Sequence, residues 1–108
     1  MNKYIMSFEY YGFYNPFVAA YPKKYAVYVK KNTTTSTCNG NRPHLIKFGD
    51  QRYEHYYDKL LNYSYLNHLD KERRRRYRAR ARNIRDKQGR LTYKDKNTAN
   101  YWAYNYLW

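Results

Sequence analysis

Apolar and polar positions alternate with period two along KKYAVYVKK, residues 23–31. Tyr25, Val27 and Val29 fall on one side, and Ala26, Tyr28 and Lys30 on the other. These are β-favouring residue types, and the pattern predicts a strand. HLIKFGD, residues 44–50, predicts a second short strand closed by Gly49. The polar run NTTTSTCNGNRP, residues 32–43, lies between them with Asn39-Gly40 at its tip. The two strands are therefore expected as an antiparallel hairpin with an overlong loop. In QRYEHYYDKLLNYSYLNHLD, the residues Tyr53, Tyr56, Tyr57, Leu60 and Leu61 recur at helical spacing. They predict a helix near 52–62, followed by a turn that leads to Asp70.

Asp70 suits a helix N-cap, and Glu72 complements the helix dipole in the first turn. From Lys71 to about Arg85 only Ile84 is β-branched, and neither Gly nor Pro interrupts, so a helix is expected over that span, with Gly89 ending the segment. At 100° per residue Tyr77, Ala81 and Ile84 form one narrow stripe. Arg74, Arg75, Arg78, Arg82 and Arg85 are assigned to a contiguous arc on the other side. Arg76 and Arg80 flank the stripe and can lay their stems over it. Like charges four residues apart weaken such a helix by a few tenths of a kcal/mol each, so it needs tertiary support. The closing NTANYWAYNYLW predicts a helix capped by Thr98, with Ala99, Trp102, Ala103 and Tyr106 on the face that packs over the hairpin. Residues 1–22 are aromatic and irregular, with Pro16 and Pro22 as breakers. The expected architecture is α+β: a small antiparallel β-hairpin packed with two or three helices over residues 23–108, preceded by an irregular aromatic N-terminal arm, residues 1–22, lying on this domain or on a neighbour.

Composition changes this picture in two ways. Seventeen tyrosines, four phenylalanines and two tryptophans stand beside few aliphatic residues. Most of the tyrosines are therefore expected in the core, with their hydroxyls reaching water. The formal net charge is +14 in 108 residues, and self-repulsion at that level points to a polyanionic partner. Nine of the eleven arginines lie between Asp70 and Arg90, whereas lysine is spread along the chain. Guanidinium groups pair bidentately with phosphate, so Arg74, Arg75, Arg78, Arg82 and Arg85 are the candidate contacts to a nucleic-acid backbone. The arc is almost purely arginine, with few groups suited to reading bases, which favours sequence-nonspecific contact. RRRRYRARAR also fits a nuclear import signal.

Other chemistries find little support. His44, His55, His68 and Cys38 match no zinc spacing, so no metal and no cofactor are expected. Asp50, Glu54, Asp58 and Asp70 each suit a structural role in a turn, at a helix dipole or as a cap. Cys38 lacks an evident catalytic partner, no glycine-rich phosphate loop occurs, and an enzyme is not expected. No run of eighteen apolar residues predicts a membrane span, and the N-terminus, with Glu9 inside it, reads poorly as a secretory signal.

The succession KKYAVYV, HLIKFGDQRYEHYYD, HLDKERRRRYRARA and TANYWAYNYLW resembles a small domain recurrent in large nucleocytoplasmic DNA viruses of algae and protists. The matching positions are Phe48, Gly49, Tyr53, Tyr57, Asp58, His68, Asp70, Arg73, Arg74, Tyr77, Arg80, Trp102 and Trp108, within residues 23–108. That family's pattern continues with a histidine after its last arginine. Here Ala81 and Arg82 follow Arg80, so nothing resting on that histidine carries over. The resemblance implies a viral origin and brings no established activity. It places the protein in a virion, the host nucleus or a cytoplasmic viral factory. The expectation is a non-enzymatic, genome-associated protein that binds DNA or another nucleic acid. The alternative is a minor capsid or other virion structural protein, using the basic helix and aromatic arm against capsid proteins.

Overall fold

The computed structural model describes residues 12–32 and 41–108. The fold is α+β. Strands β1 (Phe17–Val18), β2 (Lys23–Asn32) and β3 (Asn41–Asp50) form an antiparallel sheet in the order β1-β2-β3. Helices α1 (Lys71–Ala81) and α2 (Ala99–Tyr106) follow, each preceded by a single 3-10 turn, Ser64–Leu66 and Thr92–Lys94. Cys38, the Asn39-Gly40 tip and residues 1–11 of the arm lie outside the described residues.

The alternation in β2 places Tyr25, Val27 and Val29 in the core, opposite Phe48, Ile46 and His44 of β3. Pairing continues out to Asn32 opposite Asn41, so both ends of the run expected as loop belong to the ladder. The sheet also starts earlier than expected. Phe17 and Val18 pair with Ala26 and Tyr25, and the Phe17 ring stacks on Tyr28 at 5.7 Å. Tyr14 donates its backbone N–H to the Tyr28 carbonyl and stacks its ring on Trp102. Residues 12–22 thus lie on this domain.

Helix α2 is capped by the Thr98 side chain, which accepts from the Tyr101 N–H. It lays Trp102 over Phe48, and Leu107 fills the space beneath Gly49. Ala99, expected on the packing face, is exposed, and the residues of α2 packed against the core are Tyr101, Trp102, Ala103 and Tyr106. Burying side chains of this size contributes roughly 1.5–3 kcal/mol each. The core is less tyrosine-rich than composition suggested. Among the described tyrosines only Tyr25, Tyr63 and Tyr104 are buried, while Tyr14, Tyr21, Tyr53, Tyr57 and Tyr65 are exposed. The phenol hydroxyl explains this, because a ring that is half-buried keeps its polar tip wet.

Gly49 has φ +74°, and a Cβ there would stand 2.8 Å from Leu107 Cδ1 and 3.0 Å from the Lys24 side chain. Gly49→Ala is expected to lose about 1–3 kcal/mol, from both backbone strain and overpacking. A urea unfolding midpoint equal to that of the parent protein would contradict this.

The helix expected near 52–62 does not form; residues 51–63 make turns. The cause is Asp58, which is fully buried. Its Oδ1 accepts from the Leu60 N–H at 2.8 Å. Its Oδ2 accepts from the N–H groups of Asn62 and Tyr63 and from the Tyr25 hydroxyl at 2.5 Å. A helix would need those N–H groups to donate to carbonyls four residues back. The carboxylate takes them instead, and Leu61 turns to φ +65°. The helical spacing of Tyr53, Tyr56, Tyr57, Leu60 and Leu61 is overridden by one side chain.

The same network continues through three more side chains. Lys24 Nζ donates to the Tyr53 carbonyl at 2.9 Å and to His55 Nδ1 at 2.8 Å. With Nδ1 accepting from an ammonium, the ring proton sits on Nε2, which donates to Asn67 Oδ1 at 2.6 Å. Burial, and then the Lys24 charge, hold the His55 imidazole below its ordinary value. Burial lowers Lys24 to about 8, against the pull of Asp58 and Asp50. Burial and the Asp58 hydrogen bond raise the Tyr25 hydroxyl. A histidine depressed in the folded state binds its proton more tightly when unfolded. Its stabilising contribution is therefore complete above the ordinary value of 6.5 and is lost as the pH falls below it. His68, lowered by burial and then by Arg73, acts in the same direction. The urea midpoint is expected to fall between pH 7.5 and pH 5.5; equal midpoints would contradict a neutral buried His55.

Candidate nucleic-acid interface

Helix α1 begins where the sequence predicts. Asp70 Oδ1 accepts from the N–H groups of Glu72 and Arg73 at 3.0 and 3.1 Å. It ends at Ala81, one turn short of Arg85. The Asn83 and Ile84 N–H groups reach back only three residues, to Arg80 and Ala81. Thr92 then captures the Ile84 carbonyl, and Asn100 Nδ2 donates to the Ala81 carbonyl at 2.9 Å. These tertiary bonds draw the chain off the helix axis. Ile84 is consequently half exposed and is not part of the seam. The attachment runs through Tyr77, whose ring stacks on Trp108 at 4.2 Å and 8°, and through buried Ala81.

The arginine row Arg74, Arg78, Arg82 was expected on the side opposite this seam. It adjoins it. Four residues advance a helix by only about 40° beyond a full turn, so the row starts beside Ala81 and leads outward. Tyrosine rings form its bed. The Arg74 guanidinium lies 4.9 Å from the Tyr56 ring centre, and its Nε donates to the Trp108 backbone oxygen at 2.9 Å. The Arg78 guanidinium lies 4.1 Å from the Tyr104 ring centre. Arg82 Nε donates to the Tyr104 hydroxyl at 2.7 Å. Tyr104 points away from the sheet because it sits about 200° around α2 from Trp102.

The arginines divide by what holds them. Arg52, Arg73, Arg75, Arg76 and Arg90 are paired with carboxylates: Asp50, Glu54, Glu72 (which takes two) and Asp86. Among the described residues no Asp or Glu side chain pairs with Arg74, Arg78 or Arg82, nor with Arg80 or Arg85. Aromatic faces and a hydroxyl hold Arg78 and Arg82 in place without neutralising them, and Arg74 is held by the Tyr56 ring and the Trp108 oxygen. They converge with Lys71 and Arg75 on a cleft of about 210 Å³ lined by those five cations. Four of the five candidate contacts therefore meet at one place. Arg85 does not join them: it lies past the helix end, where its Nη1 donates to the Gly89 carbonyl at 2.7 Å. On the opposite flank, Arg73, Arg76 and Arg80 line a second cleft of about 340 Å³ with Tyr53, Glu54, Tyr77 and Trp108.

Sequence reasoning missed Lys71 and the tyrosine bed of Tyr56 and Tyr104. The helical spacing of Arg74, Arg78 and Arg82 was visible, but their aromatic partners are distant in sequence. Among the described residues no group of three His, Cys, Asp or Glu side chains stands close enough to hold a metal ion, and no helix is long and apolar enough to cross a membrane. Comparisons with protein-family models, with curated proteins and with solved structures found no match.

Glu72 is the one carboxylate on the exposed face of α1. Its hydrogen bond to Arg75 holds it below the usual carboxylate range, so it stays charged near neutral pH. Glu72→Gln is expected to release Arg75 and Arg76 and to tighten polyanion binding several-fold. Glu72 is solvent-exposed, so losing its dipole interaction should leave the thermal midpoint nearly unchanged. Unchanged or weaker binding by Glu72→Gln, measured by fluorescence anisotropy, would contradict this.

Proposed function

We propose that the protein binds the phosphate backbone of nucleic acid through the cleft of Lys71, Arg74, Arg75, Arg78 and Arg82. The observation that carries this reading is the bed under Arg74, Arg78 and Arg82: three guanidinium groups ordered on tyrosines and paired with no Asp or Glu side chain. Five other arginines are paired with acids, and of these only Arg75 lines the cleft, where it shares Glu72 with Arg76. Pre-ordered cations lose less entropy when phosphate arrives, and each phosphate they neutralise releases counterions. The buried faces of Tyr56 and Tyr104 serve the arginines, so contact is to backbone. In the viral setting that the sequence resemblance implies, the bound polymer would be the genome.

The test is binding to random-sequence duplex DNA across salt. Three to five phosphate contacts predict a slope of log K against log salt of roughly −2.7 to −4.5. A slope near zero would reject the proposal.

A second reading, a virion structural protein, is favoured by one observation. Tyr21, Tyr53, Leu61, Tyr65 and Leu69 are all more than half exposed, and exposed aromatic and aliphatic side chains are what a protein neighbour would cover. Retention in particles after nuclease treatment would favour it, and release with the genome would favour the first.

A further inference from the structure

Helix α1 carries cations on two flanks. Arg82 and Arg73 are nine positions apart, which at 3.6 residues per turn sets them about 180° apart around the axis. On one side Arg82 and Arg75 continue the cleft of Lys71, Arg74 and Arg78. On the other Arg73 and Arg80 border the second cleft. Between the two rows the crest of the helix holds Glu72, Arg76 and Ala79, all exposed. Ala79, in the last turn, is its lowest point. A planar anionic surface can meet one such row or the other, not both. A groove with phosphates on each wall meets both at once.

We infer that α1 seats in the major groove of B-form duplex DNA, with Arg75, Arg78 and Arg82 toward the phosphates of one strand and Arg73 and Arg80 toward those of the other. This rests on the proposed backbone binding and adds the form of nucleic acid and the side from which it is approached. A helix about 10–12 Å across fits a groove about 12 Å wide. The major groove of an RNA duplex is deep and too narrow for it, and a single strand offers no second wall. The low crest lets the backbone of α1 approach the base edges. Arg76 is placed to pair with guanine O6 and N7, and the Ala79 methyl to rest against a thymine methyl. Both are minor contributions beside the phosphate contacts of the flanks.

Dimethyl sulfate methylation of a random-sequence duplex, saturated with the full chain at low salt, reads both grooves together. Guanine N7 lies in the major groove and adenine N3 in the minor. The expected result is a several-fold fall in N7 methylation with N3 unchanged. Salt-dependent binding with N3 protected instead, or with neither protected, would overturn the groove assignment and leave backbone binding standing. Absence of salt-dependent binding would overturn both. Ala79→Trp, on an exposed position, is expected to weaken duplex binding at least tenfold with no change in thermal midpoint, and unchanged affinity would overturn the assignment. An RNA duplex of the same sequence is expected to compete at least tenfold less well; equal competition would also overturn it.

Discussion

Replacing Asp58 by alanine is expected to cost about 3–5 kcal/mol of folding stability, a large share of the roughly 5–15 kcal/mol available to a domain of this kind. The carboxylate is fully buried and takes four hydrogen bonds, from the N–H groups of Leu60, Asn62 and Tyr63 and from the Tyr25 hydroxyl. Alanine leaves these donors facing a void. A buried donor without an acceptor costs about 1–3 kcal/mol, and part of the sum is recovered as the turn opens to water. The loss also removes a negative neighbour of Lys24, whose ammonium lies in the same interior. Tyr25→Phe takes away a single donor and is expected to cost about 1 kcal/mol. Urea denaturation of both variants checks the ranking. A cost below about 1 kcal/mol for Asp58→Ala would mean that the network does not organise residues 51–67.

That network also explains what was legible in the sequence. The hairpin was readable because period-two alternation at Tyr25, Val27 and Val29 is local and the core lies on one side of it. Helix α1 was readable from its cap at Asp70, and α2 from its cap at Thr98. The false helix at 52–62 arose because spacing alone cannot show a carboxylate that pulls three N–H groups out of register. The end of α1 was overestimated for a similar reason, since Thr92 and Asn100 capture the chain from a distance. Of the site, the arginines were visible as a cluster. Their division into those neutralised by acids and those left charged was not, because it depends on Glu54, Tyr56, Tyr104 and Trp108 arriving from other parts of the fold.

Neutralising Arg74, Arg78 and Arg82 together, as glutamine, is expected to weaken duplex DNA binding by roughly 10²–10³-fold at 0.1 M salt, since each lost phosphate contact forfeits about one counterion. The fold should survive. Arg78 and Arg82 contact Tyr104, and Arg74 contacts the Tyr56 ring and the Trp108 oxygen, each contact worth about 1 kcal/mol, while the Tyr77–Trp108 stack and buried Ala81 still hold α1 in place. Circular dichroism and the thermal midpoint verify this before binding is read. The corresponding triple lysine variant keeps the charges and loses the planar forks that lie on the tyrosines. It should retain most of the salt dependence while binding more weakly than the parent protein.

The most direct measurement of the central claim is therefore the salt dependence of duplex binding by the parent protein and the folded triple glutamine variant, side by side. If the cleft on α1 is the phosphate site, the slope of log K against log salt becomes shallower by about three in the variant. A slope unchanged by the three substitutions would place the binding elsewhere on this basic protein and contradict the account.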